Sequence, residues 1–342
     1  MSEGYKVAVV GASGLVGSEL LRVLEERSFP VSELVALASS RSAGETVQFA
    51  GSNHVIQDAA SPGAFDGVQI ALMSAGGAAS RELAPIAAQA GAVVIDNSSA
   101  WREDPEVPLV VPEVNPDAIA KGLPKGIIAN PNCSTIQMVV ALAPLHRSAG
   151  LKRVVVSTYQ AASGAGKAAM DELGLQVQAV FSSREPEVDR FPKRLAFNCI
   201  PHIDTLHDDG WSREERKMIR ETRKIMGLPE LGVMPTCVRV PVFNGHAESV
   251  LAEFEEPLSV EKARLLLDEA AGVTLMDDAA KASYPTQLEA EGQDETLVGR
   301  LRHDPSSENG LAFWCVADNL RKGAATNAVQ IAELVAPSLE LH

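Results

Sequence analysis

The sequence has few cysteines, no long apolar run and too few basic residues to balance its acidic ones. Its four cysteines are scattered and form no C-x-x-C pair, so we expect a reducing cytoplasm and neither a zinc site nor a disulfide framework. No stretch reaches the apolar length of a membrane helix, and the N-terminus lacks the basic and apolar regions of a signal peptide. The net charge of −15 disfavours nucleic acids and anionic membranes as partners.

The remaining composition is that of an ordinary globular protein. The 342 residues suffice for two domains with sizeable cores, and 46% hydrophobic with 22% charged residues is a typical balance. We find no internal repeat and no low-complexity linker. Because the chain is acidic overall, an anionic substrate would require a local concentration of positive charge. Individual arginines and lysines are therefore candidate ligands.

Short apolar, β-branched runs alternate with helical segments through the first part of the chain. This alternation predicts a doubly wound parallel sheet. After residue 133 the pattern becomes mixed, and 182–201 is expected to be irregular. Strands are predicted at 6–10, 34–38, 68–73, 92–96, 127–129, 153–159, 236–242, 249–254 and 311–316, and helices at 18–26, 84–91, 136–142 up to Pro144, 212–226, 259–271 and 318–335.

The most informative stretch, 126–135, reads as a strand, a sharp turn and a helix. Pro131 ends the extended segment, and Asn132 is a favoured helix N-cap. Cys133 then falls in the first turn of the helix, where unpaired N–H groups and the helix dipole favour the thiolate. The same N–H groups could hold an oxyanion when that thiolate attacks a carbonyl. A buried structural cysteine is the alternative interpretation.

A glycine-rich segment between the first strand and the first helix points to nucleotide binding. Gly11, Gly14 and Gly17 form a G-x-x-G-x-x-G pattern, in which glycines permit a tight turn and a pyrophosphate can lie on the helix N-terminus. The alternative is a turn needed only for helix–strand packing. After the second strand, where NAD sites usually carry an acidic residue, the chain has Arg41. A guanidinium can pair with a 2′-phosphate, which favours NADP over NAD.

Four further candidate side chains follow predicted strand ends or lie on one helix face. Arg102 comes after the strand that ends at Asp96, and is either an anion ligand or a surface arginine. Gln160 closes the 153–159 segment and could contact a substrate through its amide. Ser212 and Glu215 form a capping box, whereas Glu214 and Lys217 share a helix face and most simply form a solvated salt bridge.

A predicted hairpin near residue 244 carries a candidate base. Arg239, Pro241 and Phe243 alternate along the 236–242 strand and should share a face. The Asn-Gly pair that follows marks a tight turn, and 249–254 reads as the return strand. His246 would then lie at the hairpin bend, where it is a candidate general base for a cysteine nucleophile.

Taken together, these motifs resemble the aspartate-β-semialdehyde dehydrogenase family. No single motif is decisive, but they stand in family order and span nearly the whole chain. The matching segments are 11–17 (GASGLVG), 131–135 (PNCST), 158–164 (TYQAASG), 239–242 (RVPV) with His246, and 318–325 (DNLRKGAA).

The resemblance implies an α/β fold with two domains. Residues 1–132 would form a Rossmann-like, doubly wound NADP-binding domain, completed by a C-terminal helix within 319–342. Residues 133–318 would form an α+β domain for catalysis and dimerisation. It also implies a homodimer, with a tetramer as the alternative, in the cytoplasm.

The implied activity is the NADPH-dependent reduction of L-aspartyl-4-phosphate to L-aspartate-4-semialdehyde with release of phosphate. The pathway would lead to lysine, threonine, methionine, isoleucine and, in bacteria, diaminopimelate. In the implied mechanism the Cys133 thiolate attacks the acyl phosphate, phosphate leaves, and the thioester takes hydride from NADPH. NADP is the implied cofactor, and no metal is involved.

The resemblance also assigns roles to individual residues. Cys133 matches the acylated nucleophile and His246 the acid/base, with Gln160 and Asn132 in the same catalytic set. Arg239 would grip the α-carboxylate, and Arg102 and Lys217 would bind the phosphate from a site built across both domains. Glu214 matches an acidic substrate contact, although Glu215 would take this role after a one-place shift. Implied cofactor contacts are Gly11, Ser13, Gly14, Leu15, Val16, Arg41, Ser42, Ser163, Gly164 and Asn319.

Three alternatives remain open at this stage. N-acetyl-glutamyl-phosphate reductase uses related cysteine chemistry on a substrate without a free α-amine. Glyceraldehyde-3-phosphate dehydrogenase has a similar cysteine turn but matches Arg239 and the Gln160 motif less well. A catalytically silent paralogue could bind a nucleotide or a partner, although Cys133 and His246 are both present.

Overall fold

The computed structural model describes residues 4–339 and divides into two compact units. The first unit runs to Asn132 and resumes at Ala324, and the second is Cys133–Gly323. The helices are α1 Leu15–Glu26, α2 Gly77–Gln89, α3 Cys133–Ala149, α4 Lys167–Phe181, α5 Arg213–Met226, α6 Val260–Asp268, α7 Gln287–Ala290 and α8 Thr326–Val335. The strands are β1 Tyr5–Val10, β2 Val31–Ala38, β3 Thr46–Phe49, β4 Ser52–Val55, β5 Gln57–Asp58, β6 Ile70–Met73, β7 Val93–Asp96, β8 Ile127–Ala129, β9 Leu151–Gln160, β10 Gly232–Arg239, β11 His246–Phe254, β12 Val273–Leu275, β13 Thr296–His303 and β14 Gly310–Ala317.

The first unit is built on a six-stranded sheet in the order β5-β2-β1-β6-β7-β8. Every strand pair in this sheet is parallel, which confirms the predicted doubly wound arrangement. Strands β6 and β8 are continuous, fully buried apolar runs, as expected where helices cover both faces of a parallel sheet. The chain order reverses between β1 and β6, so the switch point where such folds bind ligands lies at the carboxyl end of β1.

Helix α8 completes this unit from the far end of the chain. It packs against α1, β6 and β7, and Val329 and Ile331 are fully buried in the same apolar cluster as Val7. Arg27 donates two hydrogen bonds to the Glu333 carboxylate at 2.7 and 2.8 Å. A bidentate pair of this kind fixes the orientation of the helix as well as adding stability.

Two glycines set the geometry of the turn after β1. Gly11 has φ +88°, and a Cβ there would lie 2.5 Å from the Ser74 carbonyl oxygen. A Cβ on Gly17 would lie 2.0 Å from the Gly11 carbonyl oxygen. Only glycine fits at either position, so α1 can begin directly at the end of β1.

The second unit contains a mixed six-stranded sheet in the order β10-β9-β11-β14-β13-β12. Helices α3, α5 and α6 cover one face, where Met138, Met218 and Leu267 share one apolar cluster with the strands. The other face is only partly covered: along β9 the residues from 154 to 160 alternate between buried and partly exposed. Such alternation is typical of a sheet with one face on the core and one face outward.

Several predicted helix bounds are wrong. Helix α2 begins at Gly77 rather than Ala84, and α3 continues past Pro144 to Ala149. In both helices a proline lies in the interior, where its ring removes one backbone hydrogen bond. The loss is tolerated because α3 is buried along most of its length, and tertiary packing outweighs the local preference. Over the described residues, no helix is long and apolar enough to cross a membrane.

The predicted hairpin is also wrong. Strands β10 and β11 do not pair, because β9 lies between them, parallel to β10 and antiparallel to β11. Strand β10 ends at Arg239, and the chain then turns, with the Val242 N–H donating to the Val240 carbonyl at 2.8 Å. Arg239 is therefore buried while Pro241 and Phe243 are exposed, and the three do not share a face. His246 is the first residue of β11 rather than a hairpin bend.

Candidate active site

Cys133 is the first residue of α3, as predicted. The turn before it is held by Asn130, whose side-chain amide donates to Asn97 Oδ1 at 2.6 Å and to the Ala324 carbonyl at 3.1 Å. Asn327 in turn donates to Asn130 Oδ1 at 2.6 Å. Asn132, one residue further on, is buried. Two of these anchors, Ala324 and Asn327, lie 194 and 197 positions from Asn130, so the sequence pattern around Cys133 could not reveal them.

A glycine leaves room for the cysteine. A Cβ on Gly323 would lie 2.8 Å from Cys133 Cβ and 3.5 Å from Asn319 Cβ. The segment 319–323 therefore passes directly against the start of α3, which no larger residue at position 323 would allow. This close approach places Asn319, a predicted cofactor contact, beside Cys133.

Asn319 belongs to a buried hydrogen-bonded network. It exchanges hydrogen bonds with Ser163 Oγ at 2.9 and 3.1 Å, and its Oδ1 accepts from the Gly245 N–H at 2.9 Å. Asn244 donates to the Asp318 carboxylate at 2.9 Å. The network fixes the turn that precedes His246. Asp318 and Asn244 were not among the predicted site residues.

His246 is fully buried, and its ring orientation determines where its proton lies. The Ala161 N–H donates to Nδ1 at 3.1 Å. Nδ1 is thus an acceptor, so the neutral ring carries its proton on Nε2. Burial, and then the charge of Arg239, lower the pKa of His246 to about 3. Near neutral pH the ring is therefore uncharged, and Nε2 makes no hydrogen bond with any described residue.

Arg239 ends β10 beside His246. Its Nη1 donates to the Ala161 carbonyl at 2.6 Å. Burial lowers its pKa, while Glu214 and Cys133 act in the opposite direction. The guanidinium stays charged at neutral pH, and its field favours a negative Cys133 sulfur. Gly164 makes room for both side chains, because a Cβ there would lie 2.9 Å from Arg239 Nη1 and 3.1 Å from His246 Nε2.

Gln160 is the last residue of β9, next to Arg239 in register. Its amide nitrogen lies 3.3 Å from both Thr158 Oγ1 and Glu214 Oε1. Glu215 instead caps α5, accepting from the Ser212 N–H at 2.7 Å. The capping box is confirmed, and Glu214 rather than Glu215 is the acid that contacts Gln160.

Lys217 forms the predicted salt bridge with Glu214 at 3.0 Å, but the pair is not a solvated one. A second carboxylate, Asp204, lies 2.8 Å from Nζ, and the lysine side chain is only 17% exposed. Burial acts to lower the pKa of Lys217, but the two carboxylates outweigh it and the pKa is raised. Lys217 is therefore a positive charge held in place. Asp204 lies just after the 182–201 segment, and no motif in the sequence marked it as a site residue.

The first unit holds the other predicted ligands. Ser13 donates to Ser42 Oγ at 3.2 Å, so the glycine-rich turn meets the loop after β2, and Arg41 on that loop is exposed. Arg102 is buried, with Nε donating to the Asn130 carbonyl and Nη2 to the Asn97 carbonyl, both at 2.9 Å. Over residues 4–339, no group of three or more His, Cys, Asp or Glu could hold a metal ion.

The low pKa of His246 gives a testable pH dependence. The unfolded chain binds a proton at this ring below pH 6.5, whereas the folded protein does so only near pH 3. Stability therefore falls as the pH drops through this window, by about 1.4 kcal/mol per pH unit. We expect His246→Gln, which cannot titrate, to lose about 2 kcal/mol less than the wild type between pH 6.5 and 5.

Melting temperatures of both proteins at the two pH values measure this difference. His303→Gln is the control for the substitution itself, because His303 is exposed. An equal loss of melting temperature in wild type and His246→Gln would show that burial does not lower the pKa of this ring in the folded protein.

Comparison with known proteins agrees with this architecture. A family model described as "Semialdehyde dehydrogenase, NAD binding domain" matches residues 6–122, and one described as "Semialdehyde dehydrogenase, dimerisation domain" matches 142–322. The chain is 56% identical to the aspartate-semialdehyde dehydrogenase of Aquifex aeolicus, over 97% of this chain and 98% of the relative.

Two solved structures are also similar. The aspartate semialdehyde dehydrogenase II of Vibrio cholerae, complexed with ASA, has a TM-score of 0.96 and 50% identity, covering 99% of this chain and all (100%) of that one. The enzyme of Candida albicans with NADP has a TM-score of 0.75 and 26% identity, covering 97% of this chain and 98% of that one.

Proposed function

Because the chain belongs to the aspartate-semialdehyde dehydrogenase family, we propose that it reduces L-aspartyl-4-phosphate to L-aspartate-4-semialdehyde and phosphate through a thioester on Cys133. The observation that carries the proposal is the position of Cys133 at the N-terminus of α3, in the field of the buried Arg239. The product would feed the synthesis of lysine, threonine, methionine and isoleucine in the cytoplasm.

Cys133 begins the reaction as a nucleophile. The first turn of α3 and the charge of Arg239 favour its thiolate, which attacks the acyl carbon of the substrate. Backbone N–H groups at the start of α3 are suited to hold the oxyanion of the tetrahedral intermediate. As the carbonyl re-forms, the C–O bond to phosphate breaks, and Arg102 and Lys217 stabilise the departing anion. The result is a thioester on Cys133.

His246 enters this sequence as a donor. Since its Nδ1 accepts from Ala161, the neutral ring can give a proton only from Nε2. That proton can pass to the hemithioacetal oxygen that forms on reduction of the thioester, and it returns to Nε2 when the aldehyde is released. In this mechanism Gln160 and Arg239 orient the substrate, Arg239 through the α-carboxylate.

The first unit has features suited to NADP. Helix α1 begins after Gly14 with no capping side chain and no acidic residue in its first turn, so its N–H groups can take a pyrophosphate. Ser13, Gly14, Leu15 and Val16 would hold the pyrophosphate, with Arg41 and Ser42 at the 2′-phosphate. Ser163, Gly164 and Asn319 are the further contacts. When bound, NADPH supplies the hydride that reduces the thioester.

The two units would divide these tasks. We assign nucleotide binding to 1–132 with the C-terminal helix of 319–342, and catalysis and dimerisation to 133–318. The match of 142–322 to a dimerisation domain supports a homodimer. The partly covered face of the second sheet is a candidate subunit contact, since Met234 on β10 is 48% exposed there. Sedimentation analysis would distinguish a dimer from a monomer or tetramer.

The activity is tested in the reverse direction. Purified protein is incubated with aspartate semialdehyde, phosphate and NADP, and formation of NADPH is followed. We expect turnover that requires phosphate and is faster with NADP than with NAD. Glyceraldehyde-3-phosphate and N-acetyl-glutamate semialdehyde serve as comparison substrates. Faster turnover of either, or turnover independent of phosphate, would contradict the proposal.

The phosphate ligands can be tested separately. We expect Arg102→Gln or Lys217→Met to raise the KM for phosphate about tenfold or more, because each removes a charge-assisted contact worth roughly 1.5–3 kcal/mol. The KM for aspartate semialdehyde should change much less. Lys281→Met is the control, since this lysine is 81% exposed and pairs with Asp278. Equal effects on both constants would indicate a general electrostatic role instead.

A further inference from the structure

A second layer of buried polar side chains lies directly behind the proposed catalytic pair. Gln137 follows Cys133 by four residues on α3, so the two share a helix face. Glu248 follows His246 by two residues on β11, so these two share a strand face. Gln137 and Glu248 both have an exposure of 0%, and α3 packs against β11. The mechanism above uses neither of them.

The surroundings of Glu248 are polar but do not satisfy it. In register it lies opposite Thr158 on β9 and Cys315 on β14. The Cys315 thiol donates to Oε2 at 3.6 Å. The side chain of Gln137 is close enough to act on the carboxyl. Glu248 Oε1 and both amide atoms of Gln137 nevertheless lack a well-formed hydrogen bond to any described residue.

Burial favours the uncharged form of Glu248, because it raises the pKa of this carboxyl well above the ordinary value. Hydrogen bonding to Cys315 and Gln137 opposes the effect of burial, and the negative charge of Glu214 on α5 adds a smaller increase. Burial likewise raises the pKa of Cys315, which lies opposite Glu248 in register, and that of Cys237 on β10, both well above the ordinary value. In its uncharged form the carboxyl has one O–H donor and one carbonyl acceptor.

Stability does not explain an acid at this position. A buried polar atom without a partner costs about 1–3 kcal/mol, and an apolar side chain of similar volume would fill the space without that cost. A protonated carboxyl, however, matches a primary amide in shape and donor pattern. Its O–H can donate to Gln137 Oε1 while Gln137 Nε2 donates to its carbonyl oxygen, and such a pair would satisfy all three atoms that lack a partner.

We propose that Glu248 is a positioning residue, which ties α3 to β11 through Gln137 and thereby sets the spacing of Cys133 and His246. The inference rests on the proposed roles of those two residues. Catalysis is sensitive to such spacing, because a misplacement of about 1 Å can cost about a hundredfold in rate.

Three variants test the tie. Glu248→Leu and Gln137→Leu each break it, and Glu248→Gln keeps an uncharged donor and acceptor. We measure kcat, the KM for aspartate semialdehyde and for NADP, and the rate at which iodoacetamide alkylates Cys133 at pH 7. Thr222→Val is the matched control, because Thr222 Oγ1 on α5 is likewise buried and without a partner among the described residues.

We expect each leucine variant to lower kcat about ten- to a hundredfold with the KM for NADP unchanged, and to change the alkylation rate of Cys133. Glu248→Gln should restore kcat to within about threefold, and the double leucine variant should be no worse than either single one. Thr222→Val should leave both rates as in the wild type. If one leucine variant does not fold, the rates of Glu248→Gln and of the other leucine variant decide whether Glu248 has the positioning role.

Three results would overturn the inference. One is a folded Glu248→Leu with the kcat and alkylation rate of the wild type. Another is Glu248→Gln as impaired as Glu248→Leu, which would mean that the ionised acid is required. The third is additive losses in the double variant. If the wild type stays active after complete alkylation of Cys133, the proposed function is also wrong. This result distinguishes failure of the proposed function from failure of the positioning role of Glu248 alone.

Discussion

Replacing Cys133 by alanine is expected to lower kcat by about four orders of magnitude or more, because no other group can form the thioester. Buried thiols such as Cys237, whose pKa is raised well above the ordinary value, are poor substitutes. The oxyanion donors and the hydride source would remain, but without a sulfur at the start of α3 the acyl group has no covalent acceptor.

The fold should survive this change. Cys133 is the first residue of α3, which is anchored further along by Met138, Leu142 and Leu145 in a buried cluster. Alanine is the best helix former, and the loss of one sulfur from a partly exposed position leaves little cavity. The proposed nucleotide ligands Ser13 and Arg41 lie in the first unit. We therefore expect wild-type melting and NADPH binding.

Steady-state assays, NADPH titration and mass spectrometry of the trapped acyl-enzyme check this prediction together. Cys199→Ala is the matched control, since Cys199 is exposed and its loss should leave turnover intact. Discovery of the acyl group on Cys199, Cys237 or Cys315 would assign the nucleophile elsewhere. Loss of NADPH binding in Cys133→Ala would show that the substitution disturbs more than the covalent step.

The parts of the fold that could be predicted are those specified by local sequence. The parallel sheet follows from apolar runs such as β1, buried on both faces, and the start of α3 follows from Pro131 just before it. The glycine at position 11 also has a local cause, since its φ of +88° favours glycine. In each case the physical cause lies within a few residues of the feature, so a single sequence is sufficient.

The errors arose where distant segments decide the outcome. The Asn244–Gly245 turn looked like a hairpin turn, but β9 pairs with both neighbouring strands and separates them. Strand β13 was missed altogether, and Arg300 within it, at φ +58°, interrupts the alternation that marks a strand. Both cases depend on strand pairing between residues far apart in sequence, which local patterns do not encode.

The candidate site shows the same division. Cys133, His246 and Arg239 could be proposed because each has a chemistry and a position next to a turn. The residues that hold them carry no such signal, because Asn130 bonds to Asn327 and Asp204 to Lys217, and these partners are distant in the sequence. The ion pair between Glu214 and Lys217 shows a further limit of sequence-based prediction. The spacing of the two residues predicts that they are in contact, but it does not predict that the pair is buried.

Replacing Arg239 by lysine is expected to impair use of the substrate far more than use of NADPH. Arg239 is 5% exposed, and its Nη1 donates to the Ala161 carbonyl at 2.6 Å. Its remaining N–H groups form a planar fork, and Nε has no partner among the described residues. A carboxylate can accept two parallel hydrogen bonds from such a fork, whereas an ammonium offers only a point charge.

A lysine at position 239 cannot bind both groups that the guanidinium would bind, the Ala161 carbonyl and the substrate carboxylate. Its Nζ can bond to the Ala161 carbonyl or reach a substrate carboxylate, but it cannot reproduce both contacts. Losing one charge-assisted interaction costs roughly 1.5–3 kcal/mol, so the KM for aspartate semialdehyde should rise about ten- to a hundredfold. The KM for NADP should change much less, because the proposed ligands of the pyrophosphate and the 2′-phosphate lie in the first unit.

Initial-rate measurements with each substrate varied in turn decide the matter. Arg264→Lys is the control: this arginine on α6 pairs with Asp277 at 2.7 Å, and the same substitution there should leave both constants unchanged. If Arg239→Lys raised the KM for NADP and spared that for aspartate semialdehyde, Arg239 would belong to the cofactor. If kcat alone fell, the guanidinium would act on the Cys133 sulfur, with which it interacts electrostatically, rather than on the α-carboxylate.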